Sequence, residues 1–557
     1  MKKKYTLGLM IQVAFFTFLF LSIVISCSST KNKAELFSDI NYTDEEVVRD
    51  EISAIKKIAE ENPVKALWRA KILSENTQGF DAVSELLDEC YHKTQAKCIE
   101  FWDEKKYVDA RRVYRSLVAA SCTDFRGLSF GEEALESVIK SSMPTLAVNT
   151  GGVTKLSDMI KGTVTVFVDR GIKVEGGVGR SDSVLGSGFF ISKNGYIITN
   201  HHVISSCVDP SYNGFAKLYI RLAEDPDTKI PAKVVGYDDL MDLALLKTEV
   251  DAPYVFPLGS SKDLSIGDSV YAIGSPLGLD RTLTRGIVSA LDRNLLAMGN
   301  VFQIDAAVNA GNSGGPMIDE KGFVQAIVFA GVANFQGLNF AIPVEYLKAE
   351  LPYLFNGGKC THPWVQAYGK TSKPVGAGTK SDGVDVIYSM PGGSAYRSGL
   401  LAGKKIIACN GVEIKGLDDL HLFMLQTQPE TIVRITAVDS DGKKSEHFLY
   451  TEKRPKSPGH EIYTHDLLSS SLLPIIGMEL VHTSTSNKKL YGVKKIIKGS
   501  SADEAGFSEG DPVQILSTEL QQENSILVVQ IYAKKRRNGY LDVGMALGAP
   551  LDSECYF

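Results

Sequence analysis

The stretch Asn309-Ala310-Gly311-Asn312-Ser313-Gly314-Gly315-Pro316 decides how this chain is read. It sets one serine in a glycine-rich turn, where a hydroxyl can stand exposed and the neighbouring backbone N–H groups can stay free. Gly311 permits backbone angles that a residue with a Cβ resists. Upstream lies Thr199-Asn200-His201-His202-Val203, and between the two Asp242 opens Asp242-Leu243-Ala244-Leu245-Leu246. Histidine, aspartate and serine in this chain order form one of the known arrangements of a nucleophilic triad.

The residue types suit the chemistry. A serine hydroxyl is a poor nucleophile until a base takes its proton during attack on a carbonyl. His202 titrates near neutrality, so it can take that proton from Ser313 and return it to a leaving amine. Asp242 would hold the ring in the useful tautomer and stabilise the imidazolium. Gly311, Asn312 and Ser313 offer consecutive N–H groups for the oxyanion, and losing one such donor costs about 100- to 1000-fold in rate.

The flanking segments read as short strands. Gly188-Phe189-Phe190-Ile191-Ser192 and Tyr196-Ile197-Ile198-Thr199 bracket Asn194-Gly195, a strong hairpin signal, which places His202 just past a buried strand. Val234 to Tyr237 and Leu243 to Leu246 bracket Asp242, and Val324 to Val328 follows the serine turn. Short strands with Gly, Asn and Asp turns predict antiparallel barrels, and residues 146–356 suffice for two.

Six motifs now stand in order: Gly186-Ser187-Gly188-Phe189, Thr199 to Val203, Asp242 to Leu245, Gly274-Ser275-Pro276-Leu277-Gly278, Gly311 to Pro316, and Asn339-Phe340-Ala341-Ile342-Pro343. Together they closely resemble the HtrA (Deg) family of trypsin-fold serine proteases. The resemblance runs from about residue 146 to the end of the sequence. It implies an ATP-independent endopeptidase of the bacterial envelope acting on misfolded or unfolded proteins. The family pattern has a variable residue before the catalytic histidine, which selects His202 over His201. Adjacent residues at a strand end point apart, and no carboxylate or cysteine stands nearby at ligand spacing, so neither a metal nor a cofactor is expected.

In trypsin-fold enzymes the floor of the S1 pocket lies six residues before the nucleophile, here Ala307. An alanine supplies no carboxylate for a basic P1 side chain, so small or medium apolar P1 residues are expected. The segment Ala330 to Leu338 is expected to be a loop beside that pocket, and in the family such loops gate activity.

Residues 1–27 read as a signal peptide: Lys2, Lys3 and Lys4 precede an apolar stretch from Leu7 to Ile25. The stretch is nearly long enough to remain as an uncleaved anchor. Val24-Ile25-Ser26-Cys27 resembles a bacterial lipobox, which predicts cleavage and lipidation of Cys27, hence attachment to a membrane through a lipid anchor. A net charge of −6 over 557 residues argues against a general nucleic-acid binder. The eight cysteines, one of them Cys27, make no disulfide framework.

Residues 28–145 are read as helical. Thr43-Asp44-Glu45-Glu46 is a capping box, and Val48, Ile52, Ile55 and Ala59 keep helical spacing. Trp102 to Ala119 resembles one helix of a tetratricopeptide-type hairpin. The plain reading is a small bundle that spaces the protease from the membrane; the sharper one is a docking repeat. The family resemblance implies a homotrimer or higher oligomer, although this segment stands where the trimer-building arm would be.

The rest carries an internal repeat. Gly383 to Ile387 leads to Ala395, Gly399 and Gly403, and Gly492 to Ile496 leads to Ala502, Gly506 and Gly510. Both copies resemble PDZ domains, expected at 360–455 and 470–557. The predicted fold class is therefore multidomain: a helical N-terminal region, an all-β trypsin-like double barrel and two PDZ-like α+β domains. PDZ domains add an extended peptide to a sheet and hold its C-terminal carboxylate in a loop of N–H groups. Ile476-Gly477-Met478 fits that loop in the second copy, whereas Trp364-Val365-Gln366-Ala367 in the first lacks the glycine. The second copy is thus expected to be the better peptide sensor. Two other functions compete with a general protease: a binding scaffold for unfolded clients, and an anchored protease with one signalling substrate.

Overall fold

The computed structural model describes residues 42–557 except 78–79, 123–124, 126, 148–154, 276–281, 310, 332–337, 374–380, 484–489, 522–523 and 536–540. The predicted signal peptide and Cys27 therefore lie outside the described residues, as do Pro276 to Gly278 and the middle of the Ala330–Leu338 loop. No helix among the described residues is long and apolar enough to cross a membrane.

Five helices come first: α1 (Glu45–Glu61), α2 (Pro63–Asn76), α3 (Asp81–Asp103), α4 (Tyr107–Ala119) and α5 (Glu132–Ser142). The cap of α1 is Asp44, whose carboxylate accepts the Glu46 N–H at 2.9 Å, rather than Thr43. The helix expected from Trp102 to Ala119 is broken: Lys105 adopts φ +60°, and Trp102 instead stacks on Phe130 with centroids 4.1 Å apart.

After a short α6 (Leu156–Ile160) the chain builds two barrels. The first uses β1 (Thr163–Glu175), β2 (Val178–Phe190), β3 (Tyr196–Thr199), β4 (Lys217–Arg221), β5 (Ile230–Asp238) and β6 (Leu243–Thr248). Their order is β5-β4-β1-β2-β3-β6, and pairing of β5 with β6 closes the ring. Helix α7 (His201–Val208) follows β3 directly. The second barrel runs β10-β11-β12-β9-β8-β7, from β7 (Ser269–Gly274), β8 (Thr282–Arg293), β9 (Val301–Ile304), β10 (Pro316–Ile318), β11 (Val324–Gly331) and β12 (Asn339–Pro343). Alternate inward residues fill each barrel; Val164, Val166 and Val168 of β1 are all fully buried.

Helix α8 (Val344–Asn356) and β13 (Gly358–Lys359), which pairs in parallel with β5, lead out of the barrels. Next, β14 (Pro363–Trp364) precedes the first PDZ-like sheet: β15 (Ala367–Thr371), β16 (Val384–Ser389), α9 (Ser394–Arg397), β17 (Lys405–Cys409), β18 (Val412–Glu413), α10 (Leu417–Leu425), β19 (Ile432–Val438) and β20 (Lys444–Tyr450). In that sheet β15 and β20 are the two terminal strands. After β21 (Glu452–Lys453) and helices α11 (Pro458–His465) and α12 (Leu468–Ile476) comes the second sheet. It consists of β22 (Met478–His482), β23 (Leu490–Ile496), β24 (Pro512–Gln521), β25 (Ile526–Lys535) and β26 (Leu541–Pro550), with the short α13 (Ser501–Glu504) between β23 and β24. Only residues 522–525 join β24 to β25, too few for the helix that α10 supplies in the first copy.

The helical region docks on the first PDZ-like sheet. Ile432, Phe448 and Tyr450 of that sheet share one buried cluster with Val48, Leu67, Leu73 and Leu117 of the helices. Trp68 Nε1 donates to Phe448 O at 2.8 Å, and its ring stacks on Tyr450. The seven cysteines beyond Cys27 are all free thiols.

Candidate active site

The nucleophile turn belongs to the second barrel but is held by the first. Ser187, on β2, donates its N–H to Ser313 O at 2.7 Å and its hydroxyl to Gly311 O at 2.6 Å. Its own carbonyl accepts the Thr199 hydroxyl at 2.7 Å, and its Oγ accepts the Ser275 N–H at 3.0 Å. Ser187 thus ties the serine turn to the strand that delivers the histidine. It stood in a recognised motif, but nothing local in the sequence marks it as a clamp.

The glycines explain how the two barrels approach so closely. Gly311 and Gly314 adopt φ +104° and +87°. A Cβ on Gly314 would run into the Ser187 carbonyl oxygen and the Thr199 hydroxyl. On Gly186 it would lie 2.6 Å from a methyl of Val203, the residue after His202.

His202 lies just past the buried strand β3, in the first turn of α7. Asp242 meets it twice: Oδ2 lies 2.7 Å from His202 Nδ1, and Oδ1 accepts the His202 N–H at 2.8 Å. Asp242 adopts φ +54°, and the Asn200 side-chain amide holds its carbonyl at 2.8 Å. His201 turns away and stacks on Tyr237, with centroids 5.4 Å apart. Its pKa is lowered by burial.

Ser313 Oγ donates to Phe329 O at 3.2 Å, and among the described residues it makes no hydrogen bond to His202. The three-donor expectation for the oxyanion needs correction: the Asn312 N–H is spent on Asn309 O at 3.0 Å. Among the described residues, the Gly311 and Ser313 N–H groups donate to no carbonyl. Among the described residues two of the three expected donors thus have no carbonyl acceptor, and the intervening one shapes the turn. Ala307 is exposed, and its carbonyl accepts the Thr284 hydroxyl at 2.9 Å.

In the expected carboxylate loop of the second PDZ-like copy the Gly477 N–H is already spent within the fold. Gly477 is the left-handed C-cap of α12, its N–H donating to Leu472 O, while Ile476 and Met478 are fully buried. Its glycine, the feature that pointed to a carboxylate loop, serves to end a helix.

Where the barrels meet the first PDZ-like domain, Asp238, Glu350 and Cys360 bring ligand-type atoms within 4.8 Å of one another, all buried. His362 Nε2 lies 2.7 Å from Asp238 Oδ2. Burial, then the neighbouring Asp238, pushes the Glu350 carboxyl well above its ordinary value. Burial also pushes Asp238 up, but His362 and the N–H groups of Met241 and Leu240 together outweigh it and hold this carboxyl low. The opposed shifts of Glu350 and Asp238 ease the packing of two carboxyl groups in one buried space.

A double barrel with its nucleophile turn clamped across the barrel interface defines a trypsin-like serine endopeptidase. Residues 186–327 match the family model of a trypsin-like peptidase domain, 459–551 that of the TP0546 family PDZ domain, and 46–139 a domain of unknown function (DUF8517). The "Probable periplasmic serine endoprotease DegP-like" of Ectopseudomonas mendocina is 31% identical over 428 residues, 72% of this chain and 87% of that one. A namesake from Marinomonas sp. is 31% identical over 347 residues, 60% of this chain and 71% of that one. The solved structure "HtrA-type protease AlgW with decapeptide" aligns over 54% of this chain and 98% of that one, at 25% identity and a TM-score of 0.44. The chain belongs to the HtrA (DegP-like) family of serine proteases with PDZ domains.

Proposed function

We propose that His202, Asp242 and Ser313 form the catalytic triad, with the Gly311 and Ser313 N–H groups as the oxyanion hole. The two-point grip of Asp242 on His202 carries this reading, because it fixes the ring with Nδ1 protonated and Nε2 free to act as base. Ser313 would swing from Phe329 O toward that nitrogen, attack the peptide carbonyl and pass its proton through His202 to the leaving amine. An enzyme whose serine rests on a carbonyl has a low basal rate until substrate draws it into line. Ala307, lacking a carboxylate, favours small or medium apolar P1 residues. The substrates in this reading are misfolded or unfolded proteins, and peptide binding by a PDZ-like domain tunes their cleavage. The names of the relatives support a periplasmic site of action, and Cys27 would carry the lipid that tethers the enzyme, as a homotrimer or higher oligomer, to a membrane.

The test is cleavage of an unfolded model protein by purified residues 28–557 beside Ser313→Ala. Loss of cleavage in the variant is the expected result, with fragment ends reporting the P1 preference. Equal inertness of both proteins would instead favour a binding scaffold. Mass analysis of the mature N-terminus reads the lipid on Cys27, and sedimentation reads the oligomer.

A further inference from the structure

The edge of the first PDZ-like sheet is already occupied. Residues Cys555 to Phe557 lie antiparallel along β15 as an added strand. The Ala367 N–H donates to Phe557 O at 3.0 Å, the Phe557 N–H returns to Ala367 O at 3.1 Å, and the Gly369 N–H donates to Cys555 O at 3.0 Å. An open edge strand with this ladder is a peptide-binding surface of the β-augmentation type.

The other wall is α10. His421 Nε2 lies 2.8 Å from Glu554 O. Burial pushes this imidazole down to about 4, so at neutral pH it carries one ring hydrogen, and a carbonyl partner requires that hydrogen on Nε2. The aromatic side chains settle deeply: Tyr556 and Phe557 are 1% and 2% exposed. Tyr556 packs edge-on against Tyr368 and donates its hydroxyl to Pro474 O at 3.0 Å. The segment also reaches the second barrel, where the Asn294 side-chain amide donates to Glu554 Oε1 at 3.2 Å. Upstream, Arg454 grips Asp552 with two hydrogen bonds, of 2.5 and 3.0 Å.

We infer that the groove between β15 and α10 recognises an extended peptide carrying two adjacent aromatic residues, and that Glu554–Phe557 is its resident occupant in cis. An outside peptide of the same chemistry must displace this segment. Displacement also frees Glu554 from Asn294, the side chain that joins this segment to the second barrel. This deepens the peptide-sensing part of the proposed function and moves it from the second PDZ-like copy to the first. An intramolecular occupant weakens apparent binding of a competitor in inverse proportion to the fraction of time the groove stands open.

The test uses a fluorescein-labelled peptide of residues 552–557 and the full chain carrying Ser313→Ala, which separates binding from any cleavage. Anisotropy should show weak binding to this protein and at least about tenfold tighter binding when residues 554–557 are deleted. A full-length Tyr556→Ser, Phe557→Ser variant should behave like the deletion, which guards against misfolding of a shortened chain. Adding His421→Ala to that double variant should weaken the peptide again. Equal affinity for the occupied and emptied groove, or no binding to either, would overturn the inference. Failure of the Ser313 comparison in the cleavage assay would leave this binding result standing.

Discussion

His202 Nδ1 and Asp242 Oδ2 are 2.7 Å apart, while the other oxygen of the same carboxylate holds the His202 backbone N–H. One aspartate therefore fixes both the ring and the helix end that carries it. Asparagine can replace only one of those contacts without presenting an N–H to the wrong ring nitrogen. Asp242→Asn should lower kcat about 10⁴-fold through the wrong tautomer. Circular dichroism and peptide turnover would check it, and a variant within tenfold of the parent would remove Asp242 from the triad.

Gly314 carries the barrel interface. With φ +87° and the Ser187 carbonyl against its missing side chain, Gly314→Ala must displace the serine turn or β2. The expected cost is roughly 1–3 kcal/mol of stability together with loss of turnover. Denaturant unfolding beside activity measures both, and a stable, active variant would show that the turn can move.

The helical region is expected to be energetically coupled to the first PDZ-like domain through Trp68. Trp68→Phe removes the indole N–H that reaches the Phe448 carbonyl at 2.8 Å, leaving that carbonyl to the Ser398 hydroxyl alone. The expected loss is about 0.5–1.5 kcal/mol, read as a lower urea midpoint. An unchanged midpoint would mean that the two units unfold independently.

Glu350 gives the pH prediction. Its folded-state pKa is raised above the ordinary 4.5, so the stability it contributes is present below that value and is lost as pH rises through the folded pKa. Glu350→Gln imitates the neutral acid. Its stability relative to the parent should improve steadily as pH increases above 4.5, and thermal melts across pH would show it. A difference independent of pH would mean that Glu350 is ionised in the fold.

The site residues were legible because each sits in a local pattern: a glycine turn around Ser313, a hairpin at Asn194-Gly195, alternating apolar strands beside Asp242. Gly195 does adopt φ +78°, as that hairpin requires. The role of Ser187 was not legible, since its partners Gly311 and Ser313 lie in the other barrel and a hydrogen bond across an interface leaves no local signature. The Asn312 N–H was read as free because the run of glycines says nothing about which turn forms.

By itself, then, the sequence determined the family, the order of its folded units and the residues proposed for the chemistry, because strand periodicity and turn glycines act over a few residues. Only the tertiary structure decided which N–H group of the serine turn is spent and what lies along the edge of the first PDZ-like sheet. His421 and Glu554, 133 residues apart, meet through packing of the two PDZ-like sheets, and periodicity carries no information at that range.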